Sequence, residues 1–146
     1  MKYQIKTDYK RLGLHDSHLS EIKIENDKIF INLDWGFLEN YSEDKTIEAI
    51  IFDKAKLNLD NIYNQSFKKY DEIGFVDIEK PDNFELDEWL VMENKYQFND
   101  NKHIFTLSIT NYSLYLQWTI VCINAELNWD KFILHKNWLT GEQSLG

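Results

Sequence analysis

The feature that most constrains this chain is an alternation of side chains with a period of two that returns along its length. His18, Ser20, Ile22 and Ile24 share one side; Leu19, Glu21 and Lys23 share the other. After Glu25-Asn26-Asp27-Lys28, Ile29, Ile31, Leu33 and Trp35 line one side, with Phe30, Asn32 and Asp34 opposite. Only a strand places every second residue on one face. Residues 18–24 and 29–35 therefore predict a β-hairpin ended by Gly36. Tyr96 and Phe98 precede an Asn99-Asp100-Asn101-Lys102 turn, and His103, Phe105, Leu107 and Ile109 then alternate with Ile104, Thr106 and Ser108. In the next run, Leu114, Leu116, Trp118, Ile120 and Cys122 point one way; Tyr115, Gln117, Thr119, Val121 and Ile123 point the other. Its second half is apolar on both faces, the mark of a strand central in a sheet.

Other stretches are less regular. Residues 37–45 are polar and acidic and predict a loop. From Ile47 to Leu59 the odd positions are mostly apolar, and the length calls for a bulge or a bend near Asp53-Lys54. In residues 61–73, Asn61 is a candidate cap for a short helix carrying Tyr63, Phe67 and Tyr70, with Gly74 past its end; a strand or irregular segment is the other reading. Trp129, Phe132 and Ile133 have helical spacing, but a final strand fits too. No repeat, linker or low-complexity tract appears. The expectation is a single domain over residues 1–146, mainly β (a β-rich α+β chain): an antiparallel β-sandwich or half-open barrel with one or two short helices.

Charge excludes several functions. The chain has 25 acidic and 16 basic residues, a net charge of −9, and Arg11 is its one arginine. Phosphate contacts dominate nucleic-acid affinity, and arginine is the usual tool for them, so no nucleic-acid partner is expected. An anionic membrane surface would repel the chain as well. The longest apolar runs, such as residues 49–52 and 120–123, are four residues, too short to span a bilayer. No secretory leader is expected from the first 20 residues, which lack an apolar run. Cys122, the only cysteine, sits in an apolar run and is expected as core filler. A cytoplasmic protein is the natural reading.

The chemical motifs are chiefly absent. The five glycines, at 13, 36, 74, 141 and 146, form no phosphate-cradling loop. There is no Cys/His zinc pattern, nucleophile elbow or calcium loop. No cofactor and no catalytic residue is assigned, and these absences lean away from an enzyme while leaving one open. Leu14-His15-Asp16-Ser17-His18 is the segment richest in chemistry-bearing side chains. His15, Asp16 and His18 are residue types of a two-histidine, one-carboxylate metal site, but they share a face only in a helix, and a strand begins here. The simpler role is for Asp16 or Ser17 to hydrogen-bond the backbone at the start of that strand. A metal-dependent enzyme centred on His15, Asp16 and His18 is the last of three functional readings.

Leu14-His15-Asp16-Ser17, with the strands at residues 19–24 and 29–33, resembles the N-terminal part of small uncharacterised bacterial β-rich proteins, some of them similar to immunity proteins of toxin–immunity systems. The resemblance implies a binding role, and it carries over no catalytic residue.

The strongest charge feature is residues 71–93. Nine acids (Asp71, Glu72, Asp77, Glu79, Asp82, Glu85, Asp87, Glu88 and Glu93) against Lys80 leave −8, nearly the whole charge of the chain. Phe75, Ile78, Phe84, Leu86, Trp89 and Leu90 are interleaved with them, more apolar bulk than a solvated acidic loop needs. One-sign patches attract partners of the other sign, and aromatics among the charges serve as anchors. The first reading is thus a binding protein that engages a basic protein through Asp77, Glu79, Asp82, Phe84, Glu85, Asp87, Glu88 and Trp89, with an immunity protein as its sharpest form. The second is a small-molecule or carbohydrate-binding module using tryptophans. Of Trp35, Trp89, Trp118, Trp129 and Trp138, Trp118 is expected in the core, and Trp35 and Trp89, beside acidic loops, are the surface candidates.

Overall fold

The computed structural model describes residues 1–41 and 48–139. Its strands are β1 (Tyr3–Ile5), β2 (Leu12–Gly13), β3 (His18–Glu25), β4 (Lys28–Tyr41), β5 (Glu48–Asp71), β6 (Gly74–Ile78), β7 (Trp89–Asn99), β8 (Lys102–Thr110), β9 (Tyr115–Trp129) and β10 (Lys131–Leu134). Among the described residues there are also one α-helix, α1 (His135–Leu139), and 3-10 turns at Tyr9–Arg11 and Phe84–Leu86. The chain is mainly β, as the alternation predicts.

Every strand pair is antiparallel. The sheet order β9-β8-β7-β3-β4-β5, with β5 returning to β9, makes a six-stranded ring. Closure is uneven. β5 runs beside β9 from Lys56 with Asn128 to Lys69 with Leu116. β3 and β7 meet only as His18 with Leu90 and Leu19 with Trp89. Of the two expected architectures, the partly closed barrel is the one adopted.

The ring is filled rather than hollow. Leu19, Ile31, Leu57, Val91, Leu107, Trp118 and Ile120 are buried inside it. Past the short β3–β7 contact the wall lacks a strand, and Phe84 fills the gap. Its ring lies 5.0 Å from Phe67, 4.9 Å from Trp118 and 5.2 Å from Trp89. The same core extends to where β1 and β10 flank the long strands. There Trp129 stacks on Phe52 at 5.4 Å, and Tyr3 meets Phe132 edge-on. Gly36 belongs to this packing: a Cβ there would fall 2.2 Å from the buried Phe52 ring.

Several expectations change. Residues 37–41 continue β4 instead of opening a loop; the rest of that expected loop and Ile47 fall outside the described residues. The bend near Asp53-Lys54 is present, with Lys54 at φ 43°. The short helix over 61–73 is not formed. That stretch is the far half of β5, held by β9 on one side and, from Phe67, by β6 on the other. Tyr63, Phe67 and Tyr70 have helical spacing, yet only Phe67 is buried, so pairing on both edges outweighs that spacing. The helical spacing of Trp129, Phe132 and Ile133 likewise belongs to strands, Trp129 closing β9 and the others lying on β10. The side chain of Trp138 is outside those described.

Candidate functional site

The Leu14–His18 segment is a tight turn at the narrow β3–β7 seam, with the Ser17 N–H donating to the Leu14 carbonyl at 2.9 Å. Asp16 sits at φ 67°, and its N–H donates to the Val91 carbonyl. The Val91 N–H donates in turn to the Ser17 carbonyl at 2.8 Å. The Ser17 hydroxyl, fully buried, donates to the Trp35 carbonyl at 2.6 Å and to Asp34 Oδ1 at 3.1 Å. Asp34 Oδ1 also accepts the His18 N–H at 2.7 Å, and Oδ2 lies 3.2 Å from His18 Nδ1. The Trp35 indole N–H donates to the Asp16 carbonyl, so this tryptophan is a brace at the seam.

These bonds join three strands that hold one another by few ladder pairs. Ser17, not Asp16, makes the side-chain bond to the backbone, and Asp34, which the sequence reading did not single out, organises the turn. His15 Nδ1 lies 2.6 Å from the Met92 carbonyl, which can only accept, so that nitrogen carries the proton. The other ring nitrogen is 3.5 Å from Asp16 Oδ2 at an exposed position. His18 turns instead to Asp34. His15, Asp16 and His18 are therefore not gathered around one point, and among the described residues no group of three His, Cys, Asp or Glu side chains converges to hold a metal.

Residues 71–93 divide in two. Phe84 and Trp89, expected as surface anchors, are buried, and the Trp89 indole N–H donates to the Phe84 carbonyl at 2.9 Å. They are core residues and present no face to a partner. Glu85 is also committed inward: it accepts Lys80 Nζ at 2.8 Å and the Ile24 N–H at 3.4 Å. The lysine hydrogen bond, first, and the backbone N–H hold its carboxyl below the usual glutamate range. Asp77, Glu79, Asp82, Asp87 and Glu88 are exposed, and none has a lysine or arginine in ion-pair reach among the described residues. Asp87 accepts from the Asn111 side chain, which ties the loop to the β8–β9 turn.

Beside these acids lies a surface that sequence reasoning missed. Tyr70 pairs with Phe75 across β5 and β6, their rings 5.5 Å apart and edge-on. β9 places Tyr115 on the other side of Tyr70, one step beyond the Lys69–Leu116 pair. Phe75, Tyr70 and Tyr115 make a row across three strands, 48%, 52% and 49% exposed. With Met92, Glu93, Ser108, Ile109 and Leu116 they line an open groove of about 380 Å³. Ile73, at the turn of the same hairpin, is 90% exposed, and Leu86 81%. The signal was available: Tyr70 and Phe75 each stand next to a charged or apolar neighbour that the strand period puts on the opposite face.

Two other places hold polar side chains together. An open cleft of about 520 Å³ is lined by Ser20, Asn32, Asp34, Asp53, Lys54, Lys56 and Lys131, among others. Within the barrel, the Tyr96 hydroxyl and His103 Nδ1 are joined at 2.6 Å, and His103 pairs in register with Cys122. Burial lowers the His103 pKa and pushes the Cys122 thiol and the Tyr96 hydroxyl each up to about 12. All three are therefore neutral near pH 7, and Cys122 is the inert core thiol its apolar run predicts. Trp118 and Trp129 are likewise core, and so is Trp89, which leaves half-buried Trp35 from the proposed tryptophan surface.

Comparison of the chain with family models, with curated proteins and with solved structures found no match.

Proposed function

We propose that this is a non-catalytic binding protein that takes up a basic protein partner on the face built by residues 71–93 and the adjoining aromatic row. One observation carries the reading: six exposed carboxylates on this stretch, Glu72, Asp77, Glu79, Asp82, Asp87 and Glu88, form no ion pair among the described residues, and its one lysine is already taken by Glu85. Uncompensated charge of one sign raises the encounter rate with an oppositely charged partner. The Phe75, Tyr70 and Tyr115 row beside it offers apolar area for the contact itself. An immunity protein of a toxin–immunity system, holding a basic toxin, is the form of this activity that matches the chain's size, its charge and its N-terminal resemblance.

The test is capture from the source lysate at low salt and at about 0.5 M salt, where exposed charge is screened. It is repeated with Asp77, Asp82 and Glu88 changed to lysine; Glu85 is left intact because it holds the loop. A basic protein retained by the native chain, and lost both in salt and on charge reversal, is the expected result. Retention by the reversed variant would overturn the reading.

A second reading, a small-molecule-binding module, has the 520 Å³ cleft in its favour. Trp35 pairs across the strands with Asp53 of that cleft, so its fluorescence reports on occupancy. A panel of sugars and carboxylates should shift that emission if this reading holds; silence across the panel removes it.

A further inference from the structure

Four short strands border the sheet among the described residues, β1, β2, β6 and β10, each paired with one longer strand. β1 and β10 turn aromatic side chains to the core: Tyr3 and Phe132 lie edge-on at 5.0 Å and pack against it. β6 sends Ile78 to the core but leaves Phe75 and Val76 exposed. It pairs with β5 alone, from Phe67 with Ile78 to Asp71 with Gly74, around a turn where Gly74 takes φ 121°. Among the described residues no strand lies along its other edge.

Natural sheets blunt such edges with lysine, proline or a bulge, because a row of free N–H and C=O groups recruits another strand. The sequence of β6, Gly-Phe-Val-Asp-Ile, has none of these; Lys80 and Pro81 come only after it ends. Phe75 and Val76 are 48% and 38% exposed, so both faces of the strand offer apolar surface. Acids gather at this edge, Asp71 and Glu72 at the turn, Asp77 within the strand and Glu79 just past it, while Lys68 and Lys69 are set back on β5 opposite Asp77 and Val76. A second copy of β6 would bring a second set of the same acids to this edge, which opposes self-association. An extended segment alternating basic and apolar residues has the opposite relation. Its lysines or arginines would face the acids, and its apolar side chains would continue the Phe75, Tyr70 and Tyr115 row.

We propose that β6 is a docking edge, to which a basic extended segment of the partner adds as a further antiparallel or parallel strand. This rests on the reading of the acidic face as a site for a basic protein and names how that protein is held. In strand addition, main-chain hydrogen bonds supply affinity and alternate side chains supply selectivity.

The probe is a short synthetic peptide alternating lysine and valine, with a version N-methylated at every backbone nitrogen, which keeps side chains and charge but has no N–H to donate from either edge. Binding to the full chain is followed by fluorescence anisotropy at low salt, and amide hydrogen exchange locates it. The expected result is that the unmodified peptide binds, that N-methylation weakens binding about tenfold or more, and that the amides of residues 75–78 gain protection. Equal binding of both peptides with no new protection in β6 overturns strand addition and leaves the acidic-face reading standing. No binding of either peptide overturns both.

Discussion

The turn at residues 14–18 and the stretch at residues 71–93 look equally chemical as sequence, one through histidine, aspartate and serine, the other through its acids. The molecule uses them in opposite ways. At the seam, the backbone of Asp16, Ser17 and His18, the Ser17 hydroxyl and the Asp34 carboxylate all find partners within the protein. Along 71–93, six exposed carboxylates form no ion pair among the described residues, and Ile73, Phe75 and Leu86 stay exposed beside them. A dense set of polar side chains is thus no guide to function by itself. Hydrogen-bonding and apolar capacity left unspent is the better guide, because folding normally spends both.

The comparison breaks most visibly inside the acidic stretch. Phe84→Ala should destabilise the fold by about 3–5 kcal/mol, since it empties a packed position among three other rings. Urea unfolding measures this. A change under about 0.5 kcal/mol would mean that Phe84 is the surface anchor the sequence suggests.

Asp34→Ala comes next, with a loss of about 2 kcal/mol, because the buried Ser17 hydroxyl loses one acceptor and the His18 N–H its partner. Partner binding should survive in the refolded variant. A loss of binding with unchanged stability would move the functional surface to the seam.

Leu86→Ser reverses the pattern. Leu86 is almost fully exposed, so stability should stay within about 0.5 kcal/mol, while affinity for the basic partner falls. Unchanged affinity at unchanged stability removes Leu86 from the contact.

How much of this was legible in the sequence follows from what sets each feature. Period-two alternation is a local property, so the hairpins around Asn26 and Asn101 and the bend at Lys54 could be read directly. The far half of β5 could not, because its strand state comes from β9 and β6 pairing across long sequence separations. The same holds for the sites. Phe84 and Leu86 are two residues apart with the same acidic neighbours, and only the gap left by the short β3–β7 contact sends one inward. Asp34 was invisible as an organiser because its partners lie 16 and 17 residues away, at the start of β3 and in the turn before it.

Glu85 lies between the two behaviours, an acid of the binding stretch that is spent on structure, and pH separates its two possible roles. Its carboxyl is held below the ordinary glutamate value, chiefly by the Lys80 hydrogen bond. That stability is present above the unfolded-state value near 4.5 and is lost as pH falls through the lower folded value. His103 works in a higher window: burial lowers its pKa, so acidification below its ordinary value near 6.5 protonates the unfolded chain first and also costs stability. Both losses come on the acid side, but in separable ranges. Glu85→Gln should cost under about 1 kcal/mol at pH 7, as the pair with Lys80 is partly exposed. It should flatten the stability profile only below about pH 4.5, with the slope at pH 5–6.5 left to His103. Stability measured by urea unfolding at each pH decides it. Were Glu85→Gln to leave the acid limb unchanged while weakening partner binding, Glu85 would belong with Asp82 and Glu88 on the recognition face.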